Sequence, residues 1–298
     1  MASATLLLLL FCSPTFVHGY ETHGWRRSNV PPEGYFSPAN DGGSMLTKVH
    51  GTTPKGQGEP LNAIISGNSD GDVLKDAEVD GGLRNYFLSF GYSSECLGQH
   101  LGDAQAADLG DGRGYVNETA VIRWNYGDPQ LGSCKETIEG GSHFRYWVQD
   151  GSKADSGAVF MAVSYEKPIK MFHDIVFNGY NLGRDWMVGN ISHGSIPTAT
   201  LTDGMTFSGN TTFGGYIYHT DVRYTAGLLA NGSIGVNHND TVGNSFTSPV
   251  DGLVAVLRVA IVERPAETSG STSLRIPVSS WTAFALAAFS YLLFSSAI

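Results

Sequence analysis

Bulky and polar positions alternate over His143–Gln149 and again over Ala158–Tyr165, with the turn-rich stretch Asp150–Gly157 between them. This period-two pattern predicts two strands joined as an antiparallel hairpin. Leu61–Ser66, a short apolar run between Pro60 and Gly67, predicts a buried strand, and Thr119–Tyr126 another. Tyr216–Leu229 predicts a long strand. Leu253–Glu263, nearly continuous in Val, Ala, Leu and Ile until Arg264-Pro265 ends it, predicts a central one. Helical spacing of Leu83, Tyr86, Phe87 and Phe90 predicts a helix over Gly82–Phe90. Helical turns are expected over Asp70–Ala77 and Leu182–Val188, with a strand-like Ile175–Phe177 before the turn Asn178-Gly179.

The rest reads as loop. Residues 20–59 are so dense in Pro and Gly that they predict an irregular N-terminal arm, and Gly91–Gly114 and much of Gly189–Val250 are punctuated in the same way. No period of 20–50 residues repeats, which excludes solenoids and propellers. The expected fold is a single α+β domain over residues 60–265, with a mainly antiparallel sheet and a few short helices.

Both ends read as processing signals. Residues 1–19 combine the apolar run Leu6–Phe11, the breaker Pro14 and the small residues flanking His18, as in a secretory signal peptide. Residues 266–280 form a polar linker, and 281–298 an apolar tail without a charge. The small triplet Ser269-Gly270-Ser271 ahead of that tail predicts a GPI attachment site at Ser269, with Gly270 or Ser271 as alternatives. The tail would leave on anchoring; a retained transmembrane helix is the competing reading. The expected location is therefore the outer face of the plasma membrane or the cell wall.

Removing both ends takes away one base, Arg275, and leaves 17 basic against 28 acidic residues, net −11. Such a surface argues against nucleic acid as a partner. The lipid anchor makes the membrane a partner; a cell-wall polysaccharide or a small molecule is the expected ligand, and no cofactor is expected.

Cys12 leaves with the signal peptide, so Cys96 and Cys134 remain to form a disulfide in an oxidising compartment. Closing that loop contributes roughly 4 kcal/mol by chain-entropy arithmetic. Acceptor sequons at Asn117, Asn190, Asn210, Asn231 and Asn239 predict N-glycosylation, concentrated in the C-terminal half.

Three groups of residues invite chemistry. Gly67-Asn68-Ser69-Asp70-Gly71 matches a nucleophile elbow, yet too little chain precedes it for a hydrolase sheet. The favoured reading is a turn in which Ser69 or Asp70 caps a helix. Asp103, Asp108 and Asp111 could wrap a Ca²⁺ ion but lack a binding-loop spacing, so a solvated loop is favoured and no metal is expected. Finally, His143, Arg145, His173, Arg184 and Asp185 could converge on an anion or on acid–base chemistry, and strand alternation puts His143, Arg145 and Trp147 on one face. Ion pairs and aromatic packing account for the same residues.

In order and rough spacing, Pro60–Gly67, His143–Trp147 and His173-Asp174 through Arg184-Asp185-Trp186 resemble the C-terminal domain of LssY-type proteins. The region from Gly42 to Glu263 also resembles a group of secreted basidiomycete glycoproteins of unassigned function. The resemblance implies one α+β domain and a shared location for His143, Arg145, His173, Arg184 and Asp185; it supplies no activity or catalytic residue. The expected organisation departs from the LssY-type context, in which a polytopic membrane region can precede the domain, by opening on a signal peptide. A GPI-anchored, N-glycosylated fungal surface protein with a non-catalytic binding or wall-associated module is the favoured expectation. An extracellular hydrolase or anion-binding enzyme using His143 and His173 is the alternative, and an adhesion or recognition protein the third.

Overall fold

The structure, a computed structural model, describes residues 29–100, 102–243 and 248–266. The signal segment, the triplet Ser269-Gly270-Ser271 and the apolar tail lie outside the described residues. No described helix is long and apolar enough to cross a membrane. The described residues through Arg264 pack as one compact unit.

In chain order the principal elements are β1 (Ala63–Ile65), α1 (Leu83–Ser89), β2 (Tyr92–Ser94), β3 (Ala106–Ala107), β4 (Val116–Asn117), β5 (Ala120–Trp124), α2 (Gly132–Glu139), β6 (Gly141–Gly151), β7 (Ala154–Glu166), α3 (Gly179–Ser192), β8 (Thr206–Phe213), β9 (Tyr216–Thr225) and β10 (Val254–Glu263). Eight strands form one curled sheet in the order β2-β5-β6-β7-β1-β10-β9-β8, and β3 pairs with β4 in a small second sheet. Every neighbouring pair is antiparallel except β1 and β10. The expected α+β class with a mainly antiparallel sheet is what forms.

Alternation along β6 and β7 divides the interior into two layers. Phe144, Tyr146, Val159, Met161 and Val163 point to one face, where Tyr86 and Phe87 of α1 and Met187, Val188 and Ile191 of α3 pack on them. Trp147, Phe160 and Ala162 point to the other and are covered by Tyr35 and Met45 of the arm and by Leu229, Val236 and Val250. Gly183 lets α3 lie close on β7, because a Cβ there would fall 2.4 Å from the Ser164 carbonyl carbon.

Several local expectations change. Asp70–Ala77 folds as turns rather than helix, so neither Ser69 nor Asp70 caps one; instead the Ser69 hydroxyl accepts the Val259 N–H and the Asp70 carboxylate that of Ile261, stitching this segment to β10. Cys134 sits on α2, not on a loop, and its disulfide to Cys96 is formed. Ile175–Phe177 contributes only an isolated bridge, Ile175 to Glu166. The helix expected at Leu182–Val188 begins earlier, at Gly179, and continues to Ser192. Strand β8 was hidden because Thr206, Ser208, Asn210 and Thr212 face solvent and leave few apolar positions to signal it. The arm is wrapped on the domain through bridges from Leu46 to Pro60 and from Lys48 to Ala106.

Candidate functional site

The sheet register brings three polar residues into one row on the second face. Arg123 of β5 stands opposite His143 of β6, which stands opposite Ser164 of β7. One step along, Arg145 occupies the same face beside Val121 and Ala162. The expected alternation of His143, Arg145 and Trp147 onto one face is correct.

Carboxylates from other elements close over this row. Glu136 reaches down from α2, and its Oε2 accepts a hydrogen bond from Arg123 Nη1 at 2.8 Å. Glu166, at the end of β7, places Oε1 3.5 Å from His143 Nε2 and Oε2 3.3 Å from His173 Nδ1. Glu95, adjoining disulfide-bonded Cys96, lies 3.6 Å from Arg123 Nη2. The disulfide therefore braces both segments that carry the acids around Arg123. Arg145 donates to Glu118 at 2.5 Å, and His100 bridges outward, 2.9 Å from Glu95 and 3.9 Å from Glu118. A cleft of about 450 Å³ opens over Glu95, His100 and Glu118.

His173 sits on a tight loop. Phe172 and His173 both take left-handed backbone conformations, φ 60° and 54°, which non-glycine residues seldom adopt. Asp174 pins that loop by accepting from Lys167 Nζ at 2.7 Å and Thr241 Oγ1 at 3.1 Å, with His238 2.9 Å away.

Burial sets the electrostatics. Desolvation pushes the Glu136 carboxyl up to about 7 against the pull of Arg123, and drives the fully buried His143 down to about 3 despite Glu166. Burial would raise Glu166 as well, but the two imidazoles and Arg123 hold it below the usual range. Its contact with Glu166 moves His173 the opposite way, upward, against a smaller desolvation effect.

The five residues expected to converge divide into two groups. His143 and His173 flank Glu166, with Arg145 nearby on its own acid. Arg184 and Asp185 belong elsewhere: Arg184, fully buried, is gripped by Asp185 at 2.7 Å and Asp251 at 2.8 Å, donates to the Leu253 carbonyl, and lies over the Tyr224 ring. That cluster locks α3 to β9 and to the segment entering β10. The shared location for all five implied by the LssY-type resemblance is thus not what forms.

Comparison with known proteins finds no match: no family model, curated protein or solved structure resembles the chain. The site therefore has to be read from its own chemistry.

The acidic loop does not gather a metal site. Asp111 is filled by the Arg113 guanidinium and the Arg113 and Gly151 N–H groups; Asp108 accepts from the Gly110 N–H; Asp103 lies 3.8 Å from His50. Glu136, His143 and Glu166 are the described group whose ligand atoms come within 4.8 Å of one another. Sequence reasoning passed over Glu136, Glu166, Arg123, Glu95 and Glu118. Arg123 carried a signal, a lone charge between the apolar Val121-Ile122 and Trp124, whereas Glu136 lay on a helix that the sequence pattern did not disclose.

A second polar site lies on the same sheet face at its other end. A groove of about 750 Å³ runs over β8, β9 and β10 and is lined by Asn68, Thr206, Ser208, Asp221, Arg223 and Arg258 among others. Asp221 turns to His219 at 3.3 Å.

Proposed function

We propose that the protein is a GPI-anchored, N-glycosylated cell-surface binding module that takes an anionic, hydroxyl-rich ligand, such as a uronic-acid-bearing stretch of wall polysaccharide, in the groove over β8–β10. One observation carries this reading: Arg223 and Arg258 are the described arginines that no carboxylate engages, and both line that groove. Arg84, Arg113, Arg123, Arg145, Arg184 and Arg264 are each held in an ion pair. In a chain so rich in acid, two such guanidiniums on one sheet face, diagonal across the β9–β10 ladder among Asp221, Ser, Thr and Asn, suit a carboxylate flanked by hydroxyls.

An acid–base enzyme using His143 and His173 has less support, because His143 is only 1% exposed and cannot meet a substrate without rearrangement. The surface location rests on the N-terminal signal pattern, the triplet Ser269-Gly270-Ser271 and the apolar tail. Calorimetric titration of the secreted protein with an oligogalacturonate, and with a neutral β-glucan as the control, tests the binding site. The acidic oligomer should bind in a salt-sensitive way, and Arg223→Ala with Arg258→Ala should weaken it at least about tenfold, since a charge-assisted hydrogen bond contributes roughly 1.5–3 kcal/mol. Equal binding by the double variant, or preference for the neutral glucan, overturns the reading.

A further inference from the structure

Eight buried side-chain polar atoms among the described residues lack a hydrogen-bond partner, and seven belong to the charged layer over β5–β7: one each on Glu59, Glu118, Glu136, His143, Arg145, Glu166 and His173. Folded proteins leave few such atoms, and a concentration of them points to a missing partner. Four of them, Glu136 Oε1, His143 Nδ1, Glu166 Oε2 and His173 Nδ1, lie on the residues gathered around Glu166, where the last two face each other at 3.3 Å. Glu136 and His143 are 0% and 1% exposed, so bulk solvent does not satisfy them.

Charge leads to the same place. Glu95, Glu136 and Glu166 surround a single guanidinium, Arg123. Only Glu136 accepts a hydrogen bond from it, at 2.8 Å, while Glu95 and Glu166 stand 3.6 and 3.7 Å away, so the guanidinium leaves carboxylate oxygens of the cluster unengaged. A cation held between Glu136 and Glu166 would engage them.

We propose that Glu136, His143 and Glu166 bind one first-row divalent transition-metal ion of the zinc or manganese kind, with His173 positioning the Glu166 carboxylate from behind. Mixed imidazole and carboxylate donors suit such an ion, whereas calcium and magnesium prefer oxygen alone. The donors come from α2, β6 and β7, rigid elements tied together by the Cys96–Cys134 disulfide and the sheet ladder. His173 presents Nδ1 to Glu166 Oε2 at 3.3 Å from a loop that Asp174 holds in place, a carboxylate–imidazole pairing of the kind that orients metal ligands. Arg123 occupies Glu136 Oε2 and so leaves Oε1 for the ion. The cleft over Glu95, His100 and Glu118 gives the layer contact with solvent.

The test uses the full secreted protein without a histidine tag, stripped with a chelator, then dialysed separately against micromolar ZnCl₂ and MnCl₂. Elemental analysis should find about one equivalent of one of these ions per chain, and the metal should raise the melting temperature, because it binds the folded state alone. Glu136→Gln and Glu166→Gln, which keep side-chain shape, should each lose the metal and the temperature shift, while Glu118→Gln, which alters the neighbouring acid on Arg145, should retain both. Native-like circular dichroism of the metal-free variants separates loss of the site from loss of the fold, and His143→Gln provides a further ligand variant if one of the two misfolds. Failure of the parent protein to take up either ion, or equal uptake by Glu136→Gln and Glu166→Gln, overturns the proposal. Neither outcome bears on the groove of Arg223 and Arg258, where the binding reading stands or falls separately.

Discussion

Arg123 and His143 are directly paired across the β5–β6 ladder, and both turn toward the carboxylate of Glu166, one as a guanidinium 3.7 Å away and the other as an imidazole that burial keeps neutral. The difference in charge decides which matters more to the fold. Arg123 is the cation that Glu95, Glu136 and Glu166 share, so losing it leaves several buried acids without compensation. Breaking a buried pair by removing one partner typically costs about 3–5 kcal/mol. Arg123→Gln should lower urea-unfolding stability by that amount in the presence of a chelator, and Arg123→Lys should recover only part, because a single ammonium cannot span three carboxylates. A loss below about 1 kcal/mol, as expected of an exposed ion pair, would show that the acids are relieved in another way.

Six tyrosines make the protein sensitive to alkali. Tyr86, Tyr92, Tyr146, Tyr180, Tyr218 and Tyr224 bury most of the phenol, and desolvation raises each above its ordinary value of 10.0, to about 12 for Tyr218. A phenol whose folded pKa exceeds its unfolded one contributes stability that is complete below the unfolded value and is lost as pH rises through the folded one. The stability contribution should therefore hold to about pH 10 and fall above it. In a rapid pH jump, absorbance at 295 nm from these phenols should rise together with loss of far-ultraviolet circular dichroism. Full ionisation of all tyrosines while the dichroism stays native would contradict the burial.

What the sequence disclosed follows from where each signal lies. The β6–β7 hairpin and α1 are written in apolar residues that recur with their own period, so their existence was legible, as was the facing of His143 and Arg145. Pairing of Cys96 with Cys134 followed from number and compartment. The site was only half legible because its acids come from places that periodicity does not mark: Glu136 from a helix whose buried positions are mostly Gly, Ser and Thr, and Glu166 from a strand end. Arg184 and Asp185 misled because adjacency in sequence concealed a purely structural partner, Asp251, that arrives from 67 residues away. Arg223 and Arg258 gave no local motif at all; their meaning depends on the β9–β10 register, which sets Arg223 opposite Val256 and Arg258 opposite Asp221 on one face.

The sequons divide by burial. Asn117, Asn210 and Asn231 are exposed, whereas Asn190 lies near the end of α3 with its Nδ2 buried and unpartnered beside a cleft of about 530 Å³. Glycan attachment replaces a hydrogen on that very nitrogen, which is buried in the folded chain, so a sugar at Asn190 requires the side chain to turn out into the cleft it lines. The transferase acts on the nascent chain, and a molecule modified there would have to fold with the Asn190 side chain displaced from its buried position. Folded, secreted protein should consequently carry no sugar at Asn190. Peptide mapping by mass spectrometry should recover the Asn190 peptide unmodified even where Asn117, Asn210 or Asn231 are occupied, and Asn190→Gln should leave both secretion and intact mass, apart from the substitution itself, unchanged. A glycan on Asn190 in the folded monomer would mean that its side chain leaves this buried position for the cleft in the mature protein.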